Sequence, residues 1–313
     1  MMAPRNTEVT AEETHQPGKL KAYVEILRPV NCAFGALTVL IGIINSACPV
    51  STFSSLEGWL VAICGLIVYF IVAGASNLIN DYFDIDIDKI NRPTRPLPRG
   101  AISKATAIRY FLLLDAIALV LAAIVGLFTP NPVLIPCSVA FFLFVGYAYA
   151  RWGKPSGFPG NLMVGAAFSF GIPFGAFYFT SIWNIPALIW FFFITSAFLL
   201  ISRELVKGME DIEGDRKFNI KTVANTSGIT MAAIVSIVFS VLAIITFTVP
   251  AIRLIHSLLF DIFMILGDIA AATSIGFLLS GHPSRHHQKL SSLMLKAGAF
   301  LGLIAYVLAP IHL

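Results

Sequence analysis

The chain has 313 residues, 57% of them hydrophobic and 12% charged, with a mean hydropathy of +0.83. A soluble domain carries about 25% charged residues, so this composition excludes a water-soluble globule and indicates a polytopic membrane protein. The net charge of +4 matters less than where the charges sit, and no nucleic-acid partner is expected from it.

The first 18 residues are polar, with Glu8, Glu12 and Glu13, and lack the apolar core of a signal peptide. They predict a disordered cytoplasmic tail (1–18) ahead of a single membrane domain (19–313), whose first apolar segment serves as an uncleaved anchor. A helix needs about 20 apolar residues to cross a bilayer. Nine segments qualify: 22–47, 58–80, 105–128, 132–150, 161–180, 183–203, 229–250, 257–280 and 290–311. Turn residues separate them, as in Thr129-Pro130-Asn131-Pro132 and Gly281-His282-Pro283. The fold class is therefore all-α, a nine-helix bundle. Cys32, Cys48, Cys64 and Cys137 have no metal-like spacing and read as small buried hydrophobes.

Of the 21 Lys and Arg, all but Arg253 fall in the N-terminal region or in the connections that follow even-numbered spans. By the positive-inside rule the N-terminus lies in the cytoplasm and the C-terminus outside. The expected location is the cell membrane, as a multi-pass protein.

One acidic pattern occurs twice, each time just after an even-numbered span: Asp84-Ile85-Asp86-Ile87-Asp88-Lys89 and Asp211-Ile212-Glu213-Gly214-Asp215-Arg216. Both copies are expected on the cytoplasmic side, four spans apart. That arrangement predicts two related four-helix halves, repeated in parallel, with the site between them. If the preceding helices continue, Asn80, Asp84 and Asp88 share one face, as do Asp211 and Asp215. Like charges at this spacing repel, and a cation relieves the repulsion. Hard oxygen donors beside an amide suit Mg²⁺ or Mn²⁺. Mg²⁺ takes one or two carboxylates and completes its octahedron with phosphate and water. A polyanion held through the metal, most plausibly a diphosphate, follows. Solvated loop acids would account for one such segment, but not for its repetition at equivalent positions.

Basic residues flank both motifs. Arg95 lies in Asn91-Arg92-Pro93-Thr94-Arg95-Pro96-Leu97-Pro98, Arg203 and Lys207 precede the second motif, and Arg151 and Lys154 end the fourth span. Ordinary positive-inside anchoring explains any one of them about as well as phosphate contact. Glu204 ends the sixth span and is a further site candidate. The intramembrane acids Asp115, Asp261 and Asp268 are polar helix contacts at least as readily as catalytic groups. Aromatic faces among the 26 Phe could stabilise an allylic cation, although most of them pack the bundle or face lipid.

Asn80-Asp81-Tyr82-Phe83-Asp84-Ile85-Asp86-Ile87-Asp88 resembles the first signature of the UbiA superfamily of intramembrane prenyltransferases, and Asp211-Ile212-Glu213-Gly214-Asp215 resembles its second. The resemblance covers nearly all of residues 20–313. Ser202-Arg203-Glu204-Leu205-Val206-Lys207, running into Glu210-Asp211, is most similar to the branch that makes archaeal ether lipids. So are Arg28-Pro29-Val30-Asn31-Cys32 and Gly157-Phe158-Pro159-Gly160-Asn161. Departures from that branch are Gly208, where an Asp is usual, and Trp152-Gly153 before Lys154.

The resemblance implies Mg²⁺-dependent transfer from geranylgeranyl diphosphate to the free hydroxyl of geranylgeranylglyceryl phosphate, both held in the lipid bilayer. It implies metal binding by Asn80, Asp81, Asp84, Asp88, Asp211 and Asp215, with Asp84, Asp88, Asp211, Asp215 and Lys207 as the catalytic set. Asn80, Arg95, Tyr149, Arg151, Lys154, Asn161, Arg203 and Glu204 would bind substrate. An aromatic acceptor (4-hydroxybenzoate, naphthoate, chlorin or haem) is the nearest rival, though a lipid phosphate better suits the dense bases around Arg203 and Lys207. A divalent-cation transporter is the rival from another class, but its ion sites belong near the bilayer midplane.

Overall fold

The computed structural model describes residues 19–46, 50–217, 220–279 and 282–311. The expected 1–18 tail and Cys48 lie outside the described residues. The described chain is almost entirely helical, with fourteen α-helices in order: α1 (Lys19–Ile26), α2 (Pro29–Asn45), α3 (Leu56–Phe83), α4 (Ile85–Asn91), α5 (Lys104–Gly126), α6 (Leu134–Ala148), α7 (Phe158–Ser169), α8 (Gly171–Phe177), α9 (Ala187–Glu210), α10 (Ile212–Lys217), α11 (Val223–Ser227), α12 (Ile229–Arg253), α13 (Leu258–Leu278) and α14 (Arg285–Leu308).

Eight helices, or unbroken helix pairs, among the described residues are long and apolar enough to cross a membrane, and the bent pair Leu20–Ile26 with Pro29–Asn45 makes a ninth. The protein is thus a multi-pass membrane protein. The first span is not the single run expected over 22–47, because it bends by 48° between α1 and α2. Pro29 has no N–H to donate and disfavours helical backbone at the residue before it. Arg28 leaves the helical region for φ 54°, ψ 63°, the left-handed region, and is the one described non-glycine residue with positive φ. Helix starts elsewhere follow ordinary capping: Ser55, Ser103, Ser257 and Ser284 each accept a backbone N–H of the first turn.

The order of packing repeats between the halves. α2 lies on α3, α3 on α5, and α5 on α6; likewise α7 lies on α9, α9 on α12, and α12 on α13. α14 then closes the bundle against α13, α9 and α2. The halves meet where α2 crosses α8. A Cβ on Gly42 would fall 1.9 Å from the Ile172 carbonyl oxygen, and one on Gly175 would fall 2.0 Å from that of Val39. Backbone therefore touches backbone, the close approach that small residues permit between helices in lipid. Buried hydroxyls add glue, with Ser202 Oγ 2.8 Å from both Ser236 and Ser240. Of the intramembrane acids, Asp268 accepts from Thr248 at 3.0 Å, and Asp115 and Asp261 each keep one buried oxygen without a hydrogen bond among the described residues.

Candidate active site

The two acidic motifs form the same local structure. α3 passes into α4 through Asp84 (φ −87°, ψ 1°), and α9 passes into α10 through Asp211 (φ −92°, ψ 4°). At both joints the i to i−4 ladder continues. Asp84 N donates to Asn80 O at 3.0 Å and Asp88 N to Asp84 O at 2.8 Å. Asp211 N donates to Lys207 O and Asp215 N to Asp211 O, each at 3.0 Å. The acids of each motif thus stand one turn apart on one face.

Their surroundings differ. In the first motif Asp81, Asp84 and Asp88 are 2%, 6% and 4% exposed, and each is paired. Asp81 Oδ1 accepts from Arg28 and, at 3.1 Å, from Arg95. Arg95 also donates to Asp88 at 2.6 Å. Asp84 Oδ2 accepts from Asn80 at 2.9 Å and from Lys154 Nζ at 2.5 Å. Asp86 points outward to Lys89, whose hydrogen bond holds its carboxyl below the usual range. In the second motif Asp211 is exposed and Asp215 half-buried. Burial, and then the Asp211 carboxylate, push Asp215 up to about 6, against the pull of Lys154 and Lys207. Lys154 therefore lies between the two motifs, bonded to Asp84 and within electrostatic reach of Asp215.

Lys154 reaches this position because Tyr149–Gly153 form a π-helical turn, closed by Lys154 N donating to Tyr149 O at 2.8 Å. Such widened turns re-aim side chains and are frequent at functional sites. Tyr149 is brought within electrostatic reach of Glu204 and Asp84, again one group from each half. Arg151 instead points outward, over the Phe83 ring at 5.7 Å. Arg203 and Lys207 both turn to Glu204, at 3.1 and 3.7 Å. Asn161, in the first turns of α7, makes no side-chain hydrogen bond among the described residues.

Three features were not expected from the sequence. Arg28 is the counter-ion of Asp81, so Asp81, expected in the metal set, is tied to two guanidiniums. Ser156 and Lys221 form a parallel backbone bridge that ties the turn after Lys154 to the strand-like segment after α10. Gly157 makes this approach with φ +78°, where an added Cβ would lie 3.1 Å from Lys221 O. Finally, Arg99 holds Glu25 at 2.8 and 2.9 Å, locking the proline-rich segment onto α1. The one sequence signal for these was the Arg28-Pro29 and Gly157-Phe158-Pro159 turn chemistry.

A mostly apolar cavity opens among α2, α7, α9, α12, α13 and α14, lined by Phe168, Leu199, Phe247 and Gly302, with the carboxylate Asp268 and the hydroxyls of Thr38, Thr195, Ser196 and Tyr306 as its polar groups. Along α9, Thr195 lies about 18 Å from Lys207 at the helical rise.

Among the described residues no three His, Cys, Asp or Glu side chains are gathered tightly enough to hold an ion on their own. An Mg²⁺ site needs no such cage, since the ion is bound through one or two carboxylates plus substrate phosphates. The donor set is also suitable, with hard oxygens on two helix ends and a repulsive Asp211–Asp215 pair that a cation would relieve.

Two acidic helix ends linked through Lys154 in a membrane bundle are the arrangement expected of an intramembrane prenyltransferase. The chain belongs to the UbiA prenyltransferase family, which matches residues 36–304. Among its relatives is the digeranylgeranylglyceryl phosphate synthase of Korarchaeum cryptofilum, 33% identical over 94% of this chain and 98% of that protein. That of Thermococcus gammatolerans is 35% identical over 94% and 99%. A solved structure of a digeranylgeranylglyceryl phosphate synthase matches with a TM-score of 0.77 at 28% identity, covering 94% of this chain and 99% of that one. A UbiA homolog from Archaeoglobus fulgidus, bound to GPP and Mg²⁺, shares the fold with a TM-score of 0.66 at 17% identity, over 91% and 99%.

Proposed function

We propose that the protein transfers a geranylgeranyl group from geranylgeranyl diphosphate to the free glycerol hydroxyl of geranylgeranylglyceryl phosphate, with release of diphosphate, in archaeal ether-lipid synthesis. The observation that carries this is near full-length similarity, in both directions, to synthases of that name. The site's chemistry agrees with it. Asn80, Asp84, Asp88, Asp211 and Asp215 would hold Mg²⁺, with Asp81 fixing Arg95 beside them. When bound, the metal neutralises the leaving diphosphate. Lys154, Arg95 and Lys207 contact phosphate oxygens, and Arg203 orients the acceptor head group. Tyr149 and Glu204, one from each half and within electrostatic reach of each other, would orient the substrates. A largely apolar surrounding would keep water from the allylic cation. The motifs and the N-terminus face the cytoplasm, where the positive charge is concentrated, and the C-terminus faces out.

The test is mass spectrometry of the product formed in membranes from geranylgeranyl diphosphate with geranylgeranylglyceryl phosphate, beside parallel reactions with 4-hydroxybenzoate and a naphthoate. Formation of a diether phosphate alone is expected. A prenylated aromatic and no diether would replace this reading with the aromatic-acceptor one.

A further inference from the structure

Lys154 Nζ lies 2.5 Å from Asp84 Oδ2, the oxygen that also accepts from Asn80. It acts electrostatically on Asp215 as well. An ammonium therefore stands between the two motifs, on the carboxylate that a divalent ion shared by them has to use. Arg95 engages Asp88 in the same way, whereas among the described residues the ion pairs of the second half involve Glu204 and Glu213 and none reaches Asp211 or Asp215.

An ammonium and a divalent ion at one buried carboxylate repel strongly where the dielectric is low. Each therefore weakens the hold of the other. Lysine is built to give way, being a compact charge on a flexible four-carbon stem. The Lys154 side chain is 29% exposed while that of Asp84 is 8% exposed, so the ammonium has room to withdraw and the carboxylate does not.

From this we infer that Lys154 is an internal competitor for the metal, holding the Asp84 carboxylate until a diphosphate draws its ammonium away. Metal and diphosphate then bind together, and metal alone binds weakly. Lys154 is in this sense a positioning residue with two successive partners, first Asp84 and then phosphate. The order matters because a carboxylate pair loaded with metal alone would trap free phosphates at the membrane surface. The inference rests on the reading that the site takes a prenyl diphosphate with a divalent ion.

The test is Mn²⁺ binding followed by electron paramagnetic resonance, with the full chain in nanodiscs and no donor or acceptor. Lys154→Met is expected to bind Mn²⁺ at least about tenfold more tightly than wild type. Lys154→Arg, which keeps the charge, is expected to stay close to wild type. With Mn²⁺ saturating, the unreactive geranylgeranyl thiolodiphosphate is expected to bind Lys154→Met more weakly than wild type. A Lys154→Met protein that binds Mn²⁺ no more tightly than wild type overturns the inference. Should that variant not fold, Lys154→Gln takes its place. The wild-type chain gives an independent reading: saturating Mn²⁺ alone should speed acetylation of Lys154 by acetic anhydride, and an unchanged rate also overturns the inference. None of these readouts involves transfer to an acceptor, so they fail or succeed separately from the product assay above.

Discussion

Asp81 is the carboxylate on which the basic side of the site depends, and replacing it with Asn should be costly in a measurable way. Its side chain is 3% exposed and accepts from both Arg28 and Arg95. Removing one partner of a buried pair costs about 3–5 kcal/mol, because the other charge is left uncompensated. Arg28 is 27% exposed and recovers part of its hydration, while Arg95 keeps Asp88 at 2.6 Å. Both place Asp81→Asn at the low end, about 3 kcal/mol, or a fall in melting temperature of about 5–10 °C. Cys32 is a convenient reporter. It is buried, it lies one turn beyond Arg28, and its thiol donates to Leu27 O at 3.0 Å. Reaction of Cys32 with a thiol-sensitive dye during a thermal ramp in detergent, in a chain whose other three cysteines are replaced by serine, therefore reads the loss of this corner. Arg28→Ala alone should also destabilise, and adding it to Asp81→Asn should cost little more, since the interaction is already gone. Two results would refute this reasoning: an Asp81→Asn protein that melts within a degree of wild type, or fully additive single variants.

Four further outcomes are expected. Asp84→Ala and Asp211→Ala should each lower Mg²⁺-dependent transfer by about a hundredfold or more, as measured by product formation in membranes, and full activity in either would remove the metal-site assignment. Asp215, raised to about 6, contributes to stability in its protonated form. That contribution is complete below its ordinary value of 3.8 and is lost as pH rises through 6. Metal binding needs the carboxylate, so the Mg²⁺ concentration for half-maximal activity should climb by up to about tenfold per unit below pH 6, and a flat profile from pH 5 to 7 would contradict this. Leu199→Trp, which fills the cavity, should depress transfer from a C20 donor much more than from a C10 donor, whereas an equal loss with both would place the tail elsewhere. Gly157→Ala, forced into φ +78° against Lys221 O, should destabilise by about 1 kcal/mol or more, visible as a lower melting temperature.

Much of this architecture was legible because it is periodic. Long apolar runs announce spans whatever they pack against. The Asn80, Asp84, Asp88 and Asp211, Asp215 spacings announce a shared face as long as the helix continues, and it does. The break at Arg28 could be read from Pro29, yet the sequence reading ran one helix straight across it. What could not be read is what depends on groups far apart in the chain. The approach of Lys154 to Asp84 needs both a π turn at Tyr149–Gly153 and the stacking of two halves. The Ser156–Lys221 bridge needs the same stacking. Their place beside the second motif marks Arg203 and Lys207 as candidate phosphate ligands, but does not reveal that both also reach Glu204 on the same helix. Short-range periodicity does not say which way a long base will turn.

The crossing of α2 and α8 works as a rivet. At Gly42 and Gly175 the two backbones touch with no side chain between them, so the halves can neither slide nor spread there. Arg28 sits at the other end of α2, about 20 Å away along the helix, beside the acidic motifs. The bundle resembles forceps closed at the hinge, whose tips are the charged ends, where each motif helix turns through one residue, Asp84 or Asp211.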